Sequence, residues 1–175
     1  MKYLTLLLFL ISSELLAQER QNPIISPYGG IYDIPEAVVK ADPNIDYKIV
    51  IDIVTENENP EEFNWSLNNV ARLLNLHVVS GADPKKINVV LAIHGGATYA
   101  IAKDSIYKKK YGVNNPNNQL IKALKDAGVL LTVCGQSLIS RKISADEVNE
   151  NVEIATSMLT TVTTHQLKGY ALLKF

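Results

Sequence analysis

The sequence predicts an α/β domain in which a parallel β-sheet is covered by helices on both faces. Three observations lead there. Apolar or β-branched runs alternate five times with helical segments, the pattern of strands joined by crossover helices. The run from Ile87 to Ile93 is nearly all apolar, as expected of a strand buried on both faces. The chain has 175 residues and 47% hydrophobic content, enough for one domain with a real core.

The elements follow in order. Residues 47–54 (Tyr-Lys-Ile-Val-Ile-Asp-Ile-Val) read as the first strand. Pro60 opens a helix with Asn59 as its N-cap, and Phe63, Leu67, Val70, Ala71, Leu74 and Val78 recur at helical spacing. Gly81 and Asp83-Pro84 end it, and residues 87–93 form the second strand. His94-Gly95-Gly96 leads into a helical stretch from Ala97 toward Tyr111. Asn115-Pro116 restarts a helix through Ala127, with Leu120, Ile121 and Leu124 facing inward and Gly128 terminating it. Residues 129–133 are the third strand, with Cys134 at its end, and residues 136–140 are a short helix. Residues 152–155 are a fourth strand, 157–168 a helix ended by Gly169, and 170–174 a fifth strand. The crossovers should be right-handed. Lys108-Lys109-Lys110 reads as a solvated helix end, and Asn114, Asn115, Asn117 and Asn118 as turn chemistry.

Two segments precede this domain. Residues 1–17 have the layout of a cleaved secretory signal peptide: Lys2, an apolar run from Tyr3 to Ser12, and Ala17 before the cut. The run is too short to span hydrocarbon, which needs about 20 residues, so no stable membrane anchor is expected after cleavage. The mature protein is then periplasmic or secreted. Residues 18–46 carry Pro23, Pro27, Pro35 and Pro43 around Tyr28-Gly29-Gly30, which disfavours a central strand or a long helix. They read as an extended arm lying on the domain or on a neighbouring subunit, with a floppy linker as the alternative; Ile24, Ile25, Ile31, Ile34, Val38 and Val39, available for packing, favour the arm.

Composition narrows the function. With 17 Lys+Arg against 18 Asp+Glu, the chain lacks the basic surplus of a nucleic-acid binder. Its apolar content excludes intrinsic disorder, and its single cysteine excludes an internal disulfide. One cysteine and three scattered histidines give no metal-site spacing, and no motif calls for a cofactor.

Sites in open parallel sheets form beyond the carboxyl ends of the strands. Two such ends carry chemistry. Cys134 follows an apolar strand and precedes a helix start, so the N–H groups of Gly135, Gln136 and Ser137 would favour a thiolate. Gly135 would allow close approach of a substrate. The alternative is a buried, inert cysteine. His94 either hydrogen-bonds nearby backbone or lines the same cleft and activates the thiol. Gly95-Gly96 could cradle an anion. His77 and His165 read as packing or surface residues. The acids form no convincing pair: Asp52 alternates along a strand, and Asp146-Glu147 follow a Ser144 cap.

The residues together resemble the DsrE/DsrF-like family of sulfur-handling proteins, its exported members in particular. The resemblance is carried by Lys48-Ile49-Val50-Ile51-Asp52, by Asn69-Val70-Ala71-Arg72-Leu73, by Val89 through Gly96, and by Gly128 through Leu138 with Cys134-Gly135-Gln136-Ser137. Thr163, Gln166 and Gly169-Tyr170-Ala171-Leu172 complete it, so it runs from about Tyr47 to Phe175. It implies a three-layer α/β/α fold with a five-stranded, mostly parallel sheet over residues 47–175, assembled as a homo-oligomer, a trimer or hexamer. It also implies persulfide chemistry at Cys134, with sulfur donor and acceptor proteins as partners. Two readings remain open: a sulfur carrier or sulfurtransferase-like protein using Cys134, assisted by His94, or a non-catalytic ligand-binding or assembly module of the same fold.

Overall fold

The computed structural model describes residues 19–175; the expected signal segment lies outside them. Five strands form one sheet: β1 (Tyr47–Ile53), β2 (Ile87–Ile93), β3 (Leu130–Cys134), β4 (Glu153–Ala155) and β5 (Ala171–Lys174). Their order is β4-β3-β2-β1-β5 and every pairing is parallel. The α-helices are α1 (Trp65–Val79), α2 (Asp104–Tyr111), α3 (Asn118–Asp126), α4 (Gly135–Arg141) and α5 (Met158–Leu167).

Strand order dictates the layers. From β1 to β4 the chain steps steadily in one direction, so right-handed crossovers keep the connecting helices on one face. Ile49, Ile51 and Ile53 of β1, with Val89, Leu91, Ile93, Leu131 and Val133, pack there against α1, α3 and α4. The step from β4 to β5 runs back across the sheet, and the same handedness sends α5 to the opposite face. Val162 of α5 packs there against Val50, Val90 and Ala92. This second layer is thin: Leu159, Leu167 and Leu172 remain exposed.

The strands lie where the apolar runs place them, but two helix starts differ. α1 begins at Trp65, five residues after Pro60, because Asn64 is the N-cap and accepts from the Leu67 N–H. Residues 55–64 are instead a loop held by side chains: Asn64 Nδ2 donates to the Thr55 carbonyl and to Asn57 Oδ1, and the Tyr107 hydroxyl donates to the Pro60 carbonyl. The stretch expected to be one helix from Ala97 to Tyr111 is a 3₁₀ turn, Gly95–Ile101, followed by α2. The chain breaks between them because Ala102 bridges to Val148 and the Lys103 N–H donates to the Glu147 carbonyl.

The asparagines around residue 115 do more than shape a turn. Asn115 and Asn117 are buried. Asn115 Nδ2 donates to the carbonyls of Ala100 and Ala102, and Asn117 Oδ1 accepts the Asn64 N–H at 2.6 Å. They satisfy backbone groups that the irregular segments would otherwise bury unpaired.

The arm is half packed. Ile25 and Ile31 are buried against the domain, each worth about 2 kcal/mol by apolar area. Ile34, Val38 and Val39 are exposed, so the apolar character of residues 32–46 does not produce packing there. Asn75 of α1 pins the packed half: its Oδ1 accepts from the Ile24 and Ile25 N–H groups and its Nδ2 donates to the Tyr28 and Gly29 carbonyls. Gly29 has φ +61° and lies so close to α1 that a Cβ would come within 2.1 Å of the Arg72 nitrogen. Asn75→Ala should therefore cost about 3 kcal/mol in urea unfolding, because it leaves several buried backbone groups unpaired. Gly29→Ala should lift the arm and expose it to proteolysis near Arg20 in an otherwise folded domain.

Candidate functional site

The two layers separate at the carboxyl edge of the sheet between β3 and β4. The chain leaves β3 into α4 on one face and leaves β4 toward α5 on the other. Sites in open α/β sheets form outside the carboxyl ends of the strands, and here the two exits open that edge around the end of β3. Cys134 is the last residue of β3 and the N-cap of α4. It is buried, with 5% of its surface exposed.

Two helix starts from opposite layers converge on its sulfur. Burial pushes the Cys134 thiol upward. Hydrogen bonds from the Met158 N–H at the start of α5, from the Ser137 N–H of α4, and from the Ser137 and Ser157 hydroxyls outweigh that, and the net shift is below the ordinary thiol value. Ser157 Oγ lies 3.8 Å from Sγ and also accepts the Leu159 N–H as the cap of α5, which fixes its position. Gly135 makes the convergence possible: a Cβ there would approach the Ala155 carbonyl of β4 to 2.9 Å.

His94 stands one residue beyond Ile93, which pairs with Val133, as Cys134 stands one beyond Val133. Strand alternation puts both on the α5 side of the sheet, with backbones about 5 Å apart. Among the described residues no hydrogen bond joins them. His94 Nε2 instead meets Asp52 Oδ1 of β1 at 2.6 Å, a side-chain rather than a backbone partner. The Asp52 carboxylate can only accept, so this contact has Nε2 as the donor and orients the ring. Asp52 also lies 3.7 Å from Lys174 Nζ of β5. Lys174, Asp52, His94 and Cys134 thus follow one another across the sheet end.

The glycine turn is engaged with this same edge. The Gly95 N–H donates to Ser137 Oγ at 3.3 Å, and the Ala97 N–H donates to the Val54 carbonyl. A Cβ on Gly96 would meet Glu56. Gln136 is exposed. His77 and His165 each bond a carbonyl of their own helix and pack edge-on against Tyr47 and Tyr170. Among the described residues, no group of three or more His, Cys, Asp or Glu side chains could hold a metal ion.

The family model of the DsrE/DsrF-like proteins matches residues 48–175, which is most of the chain. The chain belongs to the DsrE/DsrF-like family. Several solved chains share its fold, among them the following two. One is a protein of unknown function, MTH1491, from Methanobacterium thermoautotrophicum, with 16% identity, a TM-score of 0.57, and coverage of 74% of this chain and 99% of that one. The other is the ychN protein from E. coli, with 21% identity, a TM-score of 0.55 and coverage of 74% and 99%. No curated protein matches the sequence. At these identities the structures establish the fold alone, and membership of the family points to sulfur relay at most.

Two participants escape sequence reading. Asp52 looks like an ordinary strand residue until β2 lies beside β1 and brings His94 to it. Ser157 is legible as a helix start, but its approach to Cys134 depends on which face α5 takes.

The convergence on Cys134 is measurable. The rate of thiol alkylation against pH should have its midpoint below that of a free cysteine. Ser157→Ala should lower the rate at neutral pH about fivefold, the effect of removing one hydrogen bond of about 1 kcal/mol to the thiolate.

Proposed function

We propose that this protein is an exported carrier of sulfane sulfur that holds the sulfur as a persulfide on Cys134. The observation that carries the reading is the set of N–H and hydroxyl donors from α4 and α5 around Cys134 Sγ, which favours a thiolate at the carboxyl end of β3. The same donors suit the charge of a bound persulfide.

The chemistry balances without an external oxidant. The Cys134 thiolate attacks the outer sulfur of a persulfide or polysulfide donor. A new S–S bond forms, the donor's S–S bond breaks, and the donor leaves as a thiolate with the electron pair. A thiolate of an acceptor protein then attacks the outer sulfur and restores the Cys134 thiolate. His94, oriented by Asp52, holds or supplies the proton exchanged between Cys134 and the leaving thiolate. Gly95, Gly96, Gly135, Gln136 and Ser137 form the surroundings of the bound sulfur. The subunit works within a homo-oligomer, a trimer or hexamer. Leu159, Leu167 and Leu172, left exposed around the thin α5 layer, support an interface on that side.

A second reading has one observation in its favour. Cys134 is 5% exposed, which suits a structural cysteine in a ligand-binding or assembly module.

Intact mass after exposure to polysulfide separates the two. The protein should gain sulfur that reductant removes, and Cys134→Ser should gain none. Asp52→Asn should slow loading about tenfold while leaving its extent unchanged, because it disturbs the orientation of His94 rather than the thiol. No gain, with Cys134 unreactive until the protein is denatured, would leave the binding or assembly reading.

A further inference from the structure

A second site lies at the far end of α4. A cavity of about 240 Å³ opens between the 3₁₀ turn, α2 and the residues after α4. Lys109, Lys110, Arg141 and Lys142 line it, with Tyr99 and Ile143. No carboxylate is among the lining residues. Four cations around one small concavity are unexpected in a chain whose net charge is −1.

Two carboxylates lie nearby, and Glu56 neutralises one of the four cations, which leaves Lys109, Arg141 and Lys142. Glu56 accepts from Lys110 Nζ at 2.6 Å and from the Tyr111 hydroxyl, and the Lys110 and Tyr111 hydrogen bonds hold its carboxyl below the usual range. Glu147 closes a capping box with Ser144. Lys110 is also fixed over the Tyr99 ring, 3.6 Å from its centroid, so the end of the lysine run is held in place rather than merely solvated. Arg141 donates to the Ser137 carbonyl at 3.4 Å and to Ser140 Oγ at 3.2 Å and lies 5.9 Å from the centroid of the Tyr99 ring; among the described residues no carboxylate hydrogen-bonds its fork, although Glu56 is near enough to feel its charge.

The backbone adds an independent observation. The other four α-helices are followed by a glycine at positive φ, namely Gly81, Gly112, Gly128 and Gly169. α4 instead ends on Lys142 at φ 55°, ψ 41°, the one non-glycine residue at positive φ among those described. A lysine occupies a conformation that glycine takes without strain, and it is one of the residues that line the cationic cavity.

We propose that this cavity is a binding site for a small multivalent oxyanion of the sulfate, thiosulfate or phosphate type, held by the Arg141 fork and by Lys142 with Lys109 beside it. Arg141 supplies paired donors and the lysines supply charge. Lys142 keeps its strained backbone because a glycine there would end the helix equally well but leave the anion one cation short. The site stands apart from the persulfide reading, since Cys134 is not among its lining residues.

The test is titration of the full mature chain with sodium sulfate, thiosulfate and phosphate, read by calorimetry and by thermal shift, against sodium chloride at matched ionic strength. Saturable binding of at least one divalent anion is expected, with Arg141→Gln weakening it about tenfold. Lys142→Gly should weaken binding severalfold while its melting temperature without anion stays the same or rises. Cys134→Ser should bind the anion like the parent, which separates this site from sulfur loading. Responses no greater than chloride, or equal affinity in Arg141→Gln and Lys142→Gly, would overturn the proposal.

Discussion

The position of Cys134 depends on a single reversal of the chain. Four strands are laid down in one direction with their helices on one face. β4 is then the sheet edge, and the only way back to the free side of β1 is across the opposite face. Right-handed crossover makes that return the second layer. Because α4 and α5 leave neighbouring strands toward opposite faces, their first turns splay around the β3–β4 edge. Both present backbone donors to the residue that ends β3. Had β4 been followed by a further strand on its outer side, α5 would lie in the same layer as α4 and this convergence would not exist.

The remaining features of that edge are consequences of parallel register. Pairing of Asp52 with Ala92, and of Ile93 with Val133, sets Asp52, His94 and Cys134 along one side of the sheet end. β5 adds Lys174 opposite Asp52, and the Phe175 N–H donates to the Asp52 carbonyl. A one-residue slip in any pairing would turn these side chains to the other face. The apolar contacts of Ile51, Leu91 and Leu131 prevent such slips, because a slip would move those side chains out of the core. The core therefore maintains the site through register, without touching the reacting atoms.

Irregular segments in this protein are stabilised by asparagine rather than by hydrophobic packing alone. Asn64, Asn115 and Asn117 tie the loop after β1 to the turn before α3, and Asn75 ties the arm to α1. An amide side chain both donates and accepts, so one residue can satisfy a pair of backbone groups that lack strand or helix partners. This explains how a proline-containing arm and a long loop after β1 are accommodated on a sheet core that supplies them no ladder.

Alternation of apolar runs with helical periodicity was enough to place the strands, because burial on both faces leaves a continuous signature in Ile87–Ile93 and a shorter one in Leu130–Cys134. It also marked Cys134 and His94 as residues at strand ends. Helix starts were less legible. Asn59 and Asn64 are both competent caps, and the choice of Asn64 is made by its contacts with Thr55, Asn57 and Asn117, which are tertiary. The partners of the site residues were not legible at all. Asp52 meets His94 through strand pairing, Ser157 meets Cys134 through the face that α5 takes, and Arg141 joins the lysines of α2 through the 3₁₀ turn that both helices contact. Local sequence determines which segments can be strands and which residues end them. Which side chains then meet is decided by strand order, register and crossover handedness, properties of the whole sheet that no short window contains.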